Sequence, residues 1–214
     1  MNQKIKQSVE DLKHIREMME QSNKFLSLSG LSGIVAGLVA LIGALMGYKI
    51  IHHFEIHALG YTLKGIGAEK IEQLEIQLLL LSVAVLLLAL GLGFLFTYLK
   101  AKKKGVSLYS PTSFKVAKAL FLPLVFGGLF TLILGKYELY QLAGAATLTF
   151  YGMSLLNASK FLNIEIKYLA ISEMVLGILA GLFLNQVLIF WALGFGVLHI
   201  LYGSIMYFKY DRKG

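Results

Sequence analysis

Long stretches without a charged side chain constrain this chain more than any other feature. The longest, Met174–Phe208, runs for 35 residues without Asp, Glu, Lys or Arg, and Phe25–Tyr48 and Ile76–Leu99 each run for 24. A helix needs about 20 mostly apolar residues to cross ~30 Å of hydrocarbon. These runs therefore predict membrane-spanning helices. The whole chain agrees, with 57% apolar and 15% charged residues, against about 25% charged residues in a soluble domain.

The pattern predicts an all-α polytopic membrane protein with six transmembrane helices. Shorter charge-free runs at Ala119–Gly135 and Leu139–Ser159 supply the third and fourth spans. The 35-residue run is too long for one ordinary span, and we divide it at Asn185-Gln186 into spans five and six. Only 11 residues of the run precede this division, so span five must extend back toward Lys167. Glu173 is thereby placed inside the membrane.

Lys and Arg are distributed unequally between the two sides of these spans. One side holds 16 of them, whereas the other holds only Lys49, Lys64, Lys70 and Lys136. The positive-inside rule therefore predicts that both termini are cytoplasmic, and we expect a bacterial inner membrane. The formal charge of +8 then indicates contact with the anionic headgroups of the lipid bilayer and no nucleic-acid partner.

Glycine spacing repeats along the chain. Gly33 and Gly37 in span one match Gly177 and Gly181 in span five, and residues 89–96 in span two match residues 192–199 in span six. Because odd spans match odd and even spans match even, the pattern predicts three tandem hairpins; biased composition is the alternative explanation. Small residues at this spacing let helix backbones approach closely. Such glycine-rich faces also suit a homo-oligomer or a membrane-protein partner.

Two ionisable residues are expected at one depth in the membrane. Glu173 lies 13 residues before Gln186, and His199 lies 13 residues after it. Ionisable residues in spans usually face the bundle interior or a wet cavity, so this intramembrane polar pair is a candidate site. It could exchange one proton as part of a relay, or simply fasten span five to span six through a hydrogen bond.

Further polar residues fall in the cytoplasmic half of the predicted spans. We expect them to line a polar cavity with the pair: Ser29 and Ser32 on span one, Tyr151, Ser154 and Asn157 on span four, Ser172 on span five and Tyr202 on span six.

Two prolines mark the third span. Ser110-Pro111 predicts the start of its helix, with a capping side chain followed by proline in the first turn. Pro123 lies in its middle and removes one N–H. Within a membrane, such a proline is tolerated where a neighbour satisfies the freed carbonyl.

Two segments lie outside the predicted bundle core. His53 and His57 are four residues apart, so on a helix they share a face that could hold Zn²⁺ or another divalent metal; solvated interfacial histidines are the alternative. Residues 1–24 form a second predicted unit before the six-helix domain of residues 25–214. Apolar residues recur in this first unit at helical spacing, which predicts a cytoplasmic amphipathic helix that contacts headgroups, a second copy or a partner protein.

These features lead to two functional hypotheses. The first is a small transporter or channel-like protein with a cytoplasm-facing polar cavity around Glu173 and His199. The second is a noncatalytic membrane subunit, sensor or interaction protein in which this pair has a structural role. No phosphate-binding glycine loop or dinucleotide fingerprint occurs in the sequence, so neither an enzyme nor a bound cofactor is expected.

Overall fold

The computed structural model describes residues 12, 29–54, 68–103, 105 and 108–212. Over these residues the chain forms helices and no strand. The described helices are α1 (Gly30–His53), α2 (Ala68–Lys103), α3 (Pro111–Lys136), α4 (Tyr140–Ala158), α5 (Ile164–Leu182) and α6 (Leu184–Asp211).

The last helix, α6, changes its hydrogen-bond spacing several times. A 3₁₀ turn at Leu184–Gln186 leads into a short α-helical segment, Val187–Trp191, and then into a π-helical segment, Ala192–Leu198. The α-helical segment His199–Met206 follows, and a second π-helical segment, Tyr207–Asp211, ends the helix. The π turns are wider than α turns and shift the side chains that follow them around the helix axis.

Among the described helices, four are long and apolar enough to cross a membrane, namely α1, α2 from Glu72 onward, α3 and α6. They support an all-helical integral membrane protein. The remaining described helices, α4 and α5, have 19 residues each. The predicted six-span arrangement in tandem hairpins is therefore not confirmed by length and composition.

Local boundaries agree with the capping signals in the sequence. The Ser110 hydroxyl accepts a hydrogen bond from the Ser113 N–H at 3.0 Å, and Pro111 occupies the first turn of α3. The predicted start of this helix is confirmed. The division of the long apolar run is confirmed as well, because α5 ends at Leu182 and the 3₁₀ turn contains Asn185 and Gln186.

The helices pack in two groups that meet at α5 and α6. In one group α1 contacts α2 and α6, and in the other α4 contacts α3 and α5. Helices α2 and α3 lie on the flanks. No residue in the most apolar part of α2 is buried, and only 17% of the residues in the corresponding part of α3 are buried. We call the end of the bundle where α1 begins and α6 ends the Asp211 end, and the opposite end the Gln186 end.

Glycine permits the closest helix contacts, as the sequence predicts. A Cβ on Gly37 of α1 would lie 2.6 Å from the carbonyl oxygen of Gly196 on α6, and one on Gly33 would lie 3.0 Å from the Cα of Gly203. Helices α1 and α6 therefore touch backbone to backbone. In α5, a Cβ on Gly177 would similarly lie 2.8 Å from a backbone nitrogen of α4, at Thr149.

The second glycine match in the sequence is not reproduced in the packing. Gly194 and Gly196 of α6 are buried between helices. A Cβ added to Gly91 or Gly93 of α2, in contrast, would meet no atom of the described residues within 4 Å. Similar local sequence thus occurs in one buried and one exposed setting.

A side chain from α4 satisfies the carbonyl that Pro123 frees in α3. Proline at position 123 cannot donate to the carbonyl of Ala119, four residues earlier in the helix. The Asn157 side-chain amide donates to this oxygen instead, at 2.9 Å. The predicted need for a neighbouring donor is confirmed, and the hydrogen bond also joins α4 to α3.

The predicted amphipathic helix over residues 1–24 lies almost wholly outside the described residues. Leu12 is described; it is helical and 66% exposed.

Substitution of Gly37 by Ala should destabilise the bundle by about 1–3 kcal/mol, because the added methyl group forces the α1 and α6 backbones apart. Gly91→Ala is the matched control, since the same change on α2 meets open space and removing glycine from a helix stabilises it by roughly 0.5–1 kcal/mol. Thermal unfolding in mild detergent measures both. Equal melting temperatures for the two variants would contradict the close crossing.

Asn157→Ala should destabilise the protein by about 1–3 kcal/mol, because it leaves the Ala119 carbonyl unpaired inside the bundle. In a Pro123→Ala background the same substitution should cost less, since residue 123 then donates its own N–H to Ala119. Unfolding of the two single variants and the double variant measures this coupling. Asn163→Ala serves as a control because the Asn163 side chain makes no capping hydrogen bond to α5. Additive effects at positions 123 and 157 would contradict the assignment.

Candidate functional site

The structure brings Glu173 of α5 and His199 of α6 together in the bundle interior. The His199 Nδ1 lies 3.4 Å from the Glu173 Oε1. Glu173 has no exposed surface, and the His199 side chain is 9% exposed. Residue counting from the turn predicts a common depth, and the structure adds that the two helical faces meet.

Two polar contacts orient the imidazole ring of His199. The Nδ1 of His199 lies 3.1 Å from the Gly194 carbonyl oxygen, and its Nε2 lies 2.7 Å from the Tyr151 hydroxyl. Because a carbonyl oxygen only accepts, this contact is a hydrogen bond when Nδ1 carries a proton. In a neutral ring Nε2 then accepts from the Tyr151 O–H, whereas in a charged ring it donates to the same oxygen. Tyr151 can accommodate either state by rotating its hydroxyl.

Gly194 shapes the site from the π-helical segment of α6. A Cβ at this position would lie 2.5 Å from the Oε2 of Glu173 and 2.6 Å from Leu148. Only a residue without a side chain lets the carboxyl group approach the helix backbone here. The same residue supplies the carbonyl that orients His199.

Aromatic rings surround the site. Phe195 lies 5.1 Å from Tyr151, 4.9 Å from Trp191 and 6.1 Å from His199 between ring centroids. These rings and the neighbouring aliphatic side chains exclude bulk water, which strengthens every electrostatic interaction inside.

Neither carboxyl oxygen of Glu173 has a hydrogen-bond partner among the described residues. An isolated ionised carboxylate in such surroundings costs several kcal/mol, so its charge has to be neutralised by a proton of its own or by a protonated His199. The arrangement can therefore hold one proton, on either the carboxyl group or the imidazole ring. Tyr151 completes this group of three, which we call the Glu173 site.

The other residues predicted for the cavity do not all join the Glu173 site. The Ser154 hydroxyl donates to the carbonyl of Phe150 within α4, and the Asn157 amide donates to the carbonyl of Ala119 on α3. Ser172 is half-buried, and Tyr202 is buried with its hydroxyl unpaired among the described residues. Because Glu173 has no exposed surface, the described helices enclose it and leave no open polar cavity that reaches it.

Ser29 and Ser32 lie instead at the Asp211 end. The Asp211 Oδ2 accepts from the Gly30 N–H at 2.8 Å and from the Ser29 hydroxyl at 3.4 Å, and its Oδ1 lies 2.7 Å from the Lys100 Nζ. Asp211 thus caps α1 and ties α1, α2 and α6 together. The Ser32 hydroxyl donates to the Ser29 carbonyl at 2.5 Å. Sequence reasoning missed Asp211, although it is the first acidic residue after Glu173.

A second polar contact at the Asp211 end was also missed. The Glu165 Oε1 accepts from the Lys209 Nζ at 2.5 Å and from the Tyr210 hydroxyl at 3.1 Å. Burial alone raises the pKa of Glu165, but the hydrogen bonds from Lys209 and Tyr210 and the Lys209 charge outweigh it, so the pKa lies below its ordinary value. Glu165 therefore stays ionised where α5 begins, before the apolar part of the helix.

The candidate metal site remains a prediction. His53 is exposed at the end of α1, where its ring packs edge-on against Phe54 at 5.6 Å between centroids. His57 lies outside the described residues. Within the described part of the chain, no group of three or more metal-ligating side chains occurs.

Comparison of the chain with protein-family models, curated proteins and solved structures finds no match. Function therefore has to be inferred from the contacts described above.

Because the pKa of Glu165 is lowered in the folded protein, the free energy of unfolding depends on pH. A carboxyl group whose folded-state pKa is depressed contributes stability that is present above the unfolded pKa, about 4.3, and lost as the pH falls through the folded value. We expect the melting temperature to fall on acidification below about pH 4.3. Lys209→Met should reduce that pH dependence, whereas Lys160→Met, which changes a lysine in the turn before α5, should not. An unchanged acid profile in Lys209→Met would contradict this assignment.

Proposed function

We propose that this protein is a small proton-coupled transporter or channel-like protein that binds its proton at the Glu173 site. The observation that carries the proposal is a fully buried carboxyl group, without hydrogen-bond partners among the described residues, 3.4 Å from an imidazole nitrogen. Burial of an ionisable residue within a span is costly, and such residues commonly mark ion and proton pathways.

We further propose that all six helices cross the membrane as three tandem hairpins. At a rise of 1.5 Å per residue, the 19 residues of α4 or α5 extend about 28 Å, close to the thickness of the hydrocarbon layer. Both helices pack against helices that are long enough to span. The excess of Lys and Arg predicts that the Asp211 end faces the cytoplasm of a bacterial inner membrane.

The site moves its proton without separating charge over a long distance. From a ring protonated at both nitrogens, the His199 Nδ1 proton passes to the Glu173 Oε1, and the neutral ring that remains keeps its proton on Nε2, which donates to the Tyr151 hydroxyl oxygen. The reverse transfer regenerates a carboxylate beside a protonated ring. With one proton bound, the Glu173–His199 pair has a net charge of zero whether the proton is on the ring or on the carboxyl group. A neutral pair is less costly to bury in a low-dielectric interior than a single charge. Release to either side requires the surrounding helices to move, because the present conformation encloses Glu173.

The enclosure of the site favours a second candidate function. In a noncatalytic membrane subunit or sensor, the pair would fasten α5 to α6, and residues 1–24 would contact a partner protein or a second copy of this chain. A contact of this kind contributes about 0.6–2 kcal/mol in membrane systems. The two functions differ in whether the carboxyl group of Glu173 exchanges its proton with the solution.

Glu173→Gln and His199→Ala should each abolish proton-coupled flux in proteoliposomes while the protein stays folded. Glutamine keeps the shape of the carboxyl group but cannot take up the proton. Flux is measured with a pH-sensitive dye inside liposomes, driven by a potassium gradient and valinomycin. Glu72→Gln is the matched control, since this exposed glutamate lies on the flanking helix α2.

Unchanged flux in Glu173→Gln would refute the proposed function. Absence of flux in the unmodified protein, together with a stably co-purified partner, would support the noncatalytic subunit.

A further inference from the structure

The side of α2 that faces away from the bundle carries an apolar groove, which we call the α2 groove. It has a volume of about 410 Å³, and Leu87, Gly91, Phe94, Leu95 and Tyr98 are among the residues that line it. All five are exposed. Gly91 forms the floor, because a Cβ at this position would meet no atom of the described residues within 4 Å. The missing side chain leaves a depression between the larger side chains around it.

A lysine lies where the α2 groove reaches the Asp211 end of the bundle. Gly91, Tyr98 and Lys102 follow one another at intervals of seven and four residues on one unbroken α-helix, so they share a face. Lys102 is exposed. Residues 76–103 of this helix contain no Asp or Glu that could neutralise it. The groove therefore leads from an apolar floor to a positive charge.

The distance from Gly91 to Lys102 matches the depth of one membrane leaflet. The two residues are 11 positions apart, which at 1.5 Å per residue separates them by about 17 Å along the helix axis. One leaflet contributes about 15 Å of hydrocarbon, half of the ~30 Å core. With Lys102 at the headgroups, Gly91 therefore lies near the midplane of the bilayer. Tyr98 lies in the interfacial layer, where tyrosine is enriched, and its ring stacks on Phe94 at 6.5 Å between centroids.

We infer that the α2 groove binds one anionic phospholipid, with an acyl chain lying over Gly91 and the phosphate group against Lys102. Charge complementarity identifies the ligand, because phosphate is the anionic group that a bilayer offers at the depth of this lysine. An acyl chain attached to the same phosphate has the length and the apolar character of the groove. The inference goes beyond the proposed function and does not depend on it.

A second copy of the chain fits the α2 groove less well than a lipid does. Copies inserted in the same direction and related by a two-fold axis would present the same face of α2 to each other. Their two Lys102 side chains would then meet at the same depth, and like charges brought together across an interface oppose association. A phosphate group at this position neutralises the lysine instead.

The test uses phosphatidylglycerol that carries a photoreactive diazirine on one acyl chain. The full chain is reconstituted in phosphatidylcholine vesicles that contain this probe, the vesicles are irradiated, and mass spectrometry locates the labelled residues. Labelling should concentrate on residues 87–98. Unlabelled phosphatidylglycerol should compete with the probe more strongly than phosphatidylcholine with the same acyl chains, because only phosphatidylglycerol has a net negative charge.

Two variants with matched controls test the two ends of the α2 groove. Gly91→Leu fills its floor and should reduce labelling of residues 87–98 to the level found on α3. Gly128→Leu is the control, because a Cβ on this glycine of α3 also meets no atom of the described residues within 4 Å. Lys102→Gln should weaken labelling roughly fivefold, the factor expected for one lysine at an anionic surface. Lys115→Gln, at an exposed lysine near the start of α3, should leave it unchanged.

Three results would overturn the inference. Equal labelling of α2 and α3, or equal competition by phosphatidylcholine, would indicate ordinary boundary lipid. Competition by glycerol phosphate as strong as that by the whole lipid would indicate a site for a free phosphate ester.

The third result is a dimer formed through the α2 groove. The chain contains no cysteine, so Leu88→Cys places a single thiol beside the groove. A disulfide-linked dimer of this variant in the same vesicles would show that a second copy occupies the groove, whereas a monomer supports the lipid. None of these measurements requires transport, so loss of the proposed function leaves the inference standing, and its own failure leaves the proposed function untouched.

Discussion

The backbone crossing of α1 and α6 is the contact from which the rest of the arrangement follows. Lipid tails are as apolar as the helix surfaces, so burial of apolar area supplies little drive for helices to associate, and close packing has to supply it. Gly33 and Gly37 allow α1 to lie directly on the backbone of α6 at Gly196 and Gly203. This contact brings the first and last described helices together, where Asp211 can cap α1 and pair with Lys100.

The Glu173 site depends on the same property of glycine. Gly194 is buried against Glu173 because it has no side chain, and its carbonyl orients His199. Close approach of α6 to α5 therefore places an acid against a base and also removes both from water. A larger residue at position 194 would separate the helices and admit solvent, so packing and the chemistry of the site cannot be changed independently here.

The sequence predicts positions along the helices better than positions around them. Charge-free runs and capping residues locate the described helices well, and counting from Gln186 places Glu173 and His199 at one depth. Depth alone does not tell which way a side chain points. Asn157, for example, faces Ala119 of α3, because rotation about each helix axis is set by contacts between distant parts of the chain. The π-helical segment of α6 adds a further rotation that no periodic pattern anticipates.

Buried polar groups in this bundle differ in whether a hydrogen bond offsets the cost of removing them from water. The carbonyl freed by Pro123 is paired by Asn157, so its cost is offset and the result is a fixed contact between α3 and α4. The hydroxyl of Tyr202 and the carboxyl group of Glu173 have no hydrogen-bond partner among the described residues. Full pairing would stabilise one arrangement and oppose movement away from it. Groups without hydrogen-bond partners instead favour states in which water reaches them, and the proposed proton exchange at the Glu173 site would use such states.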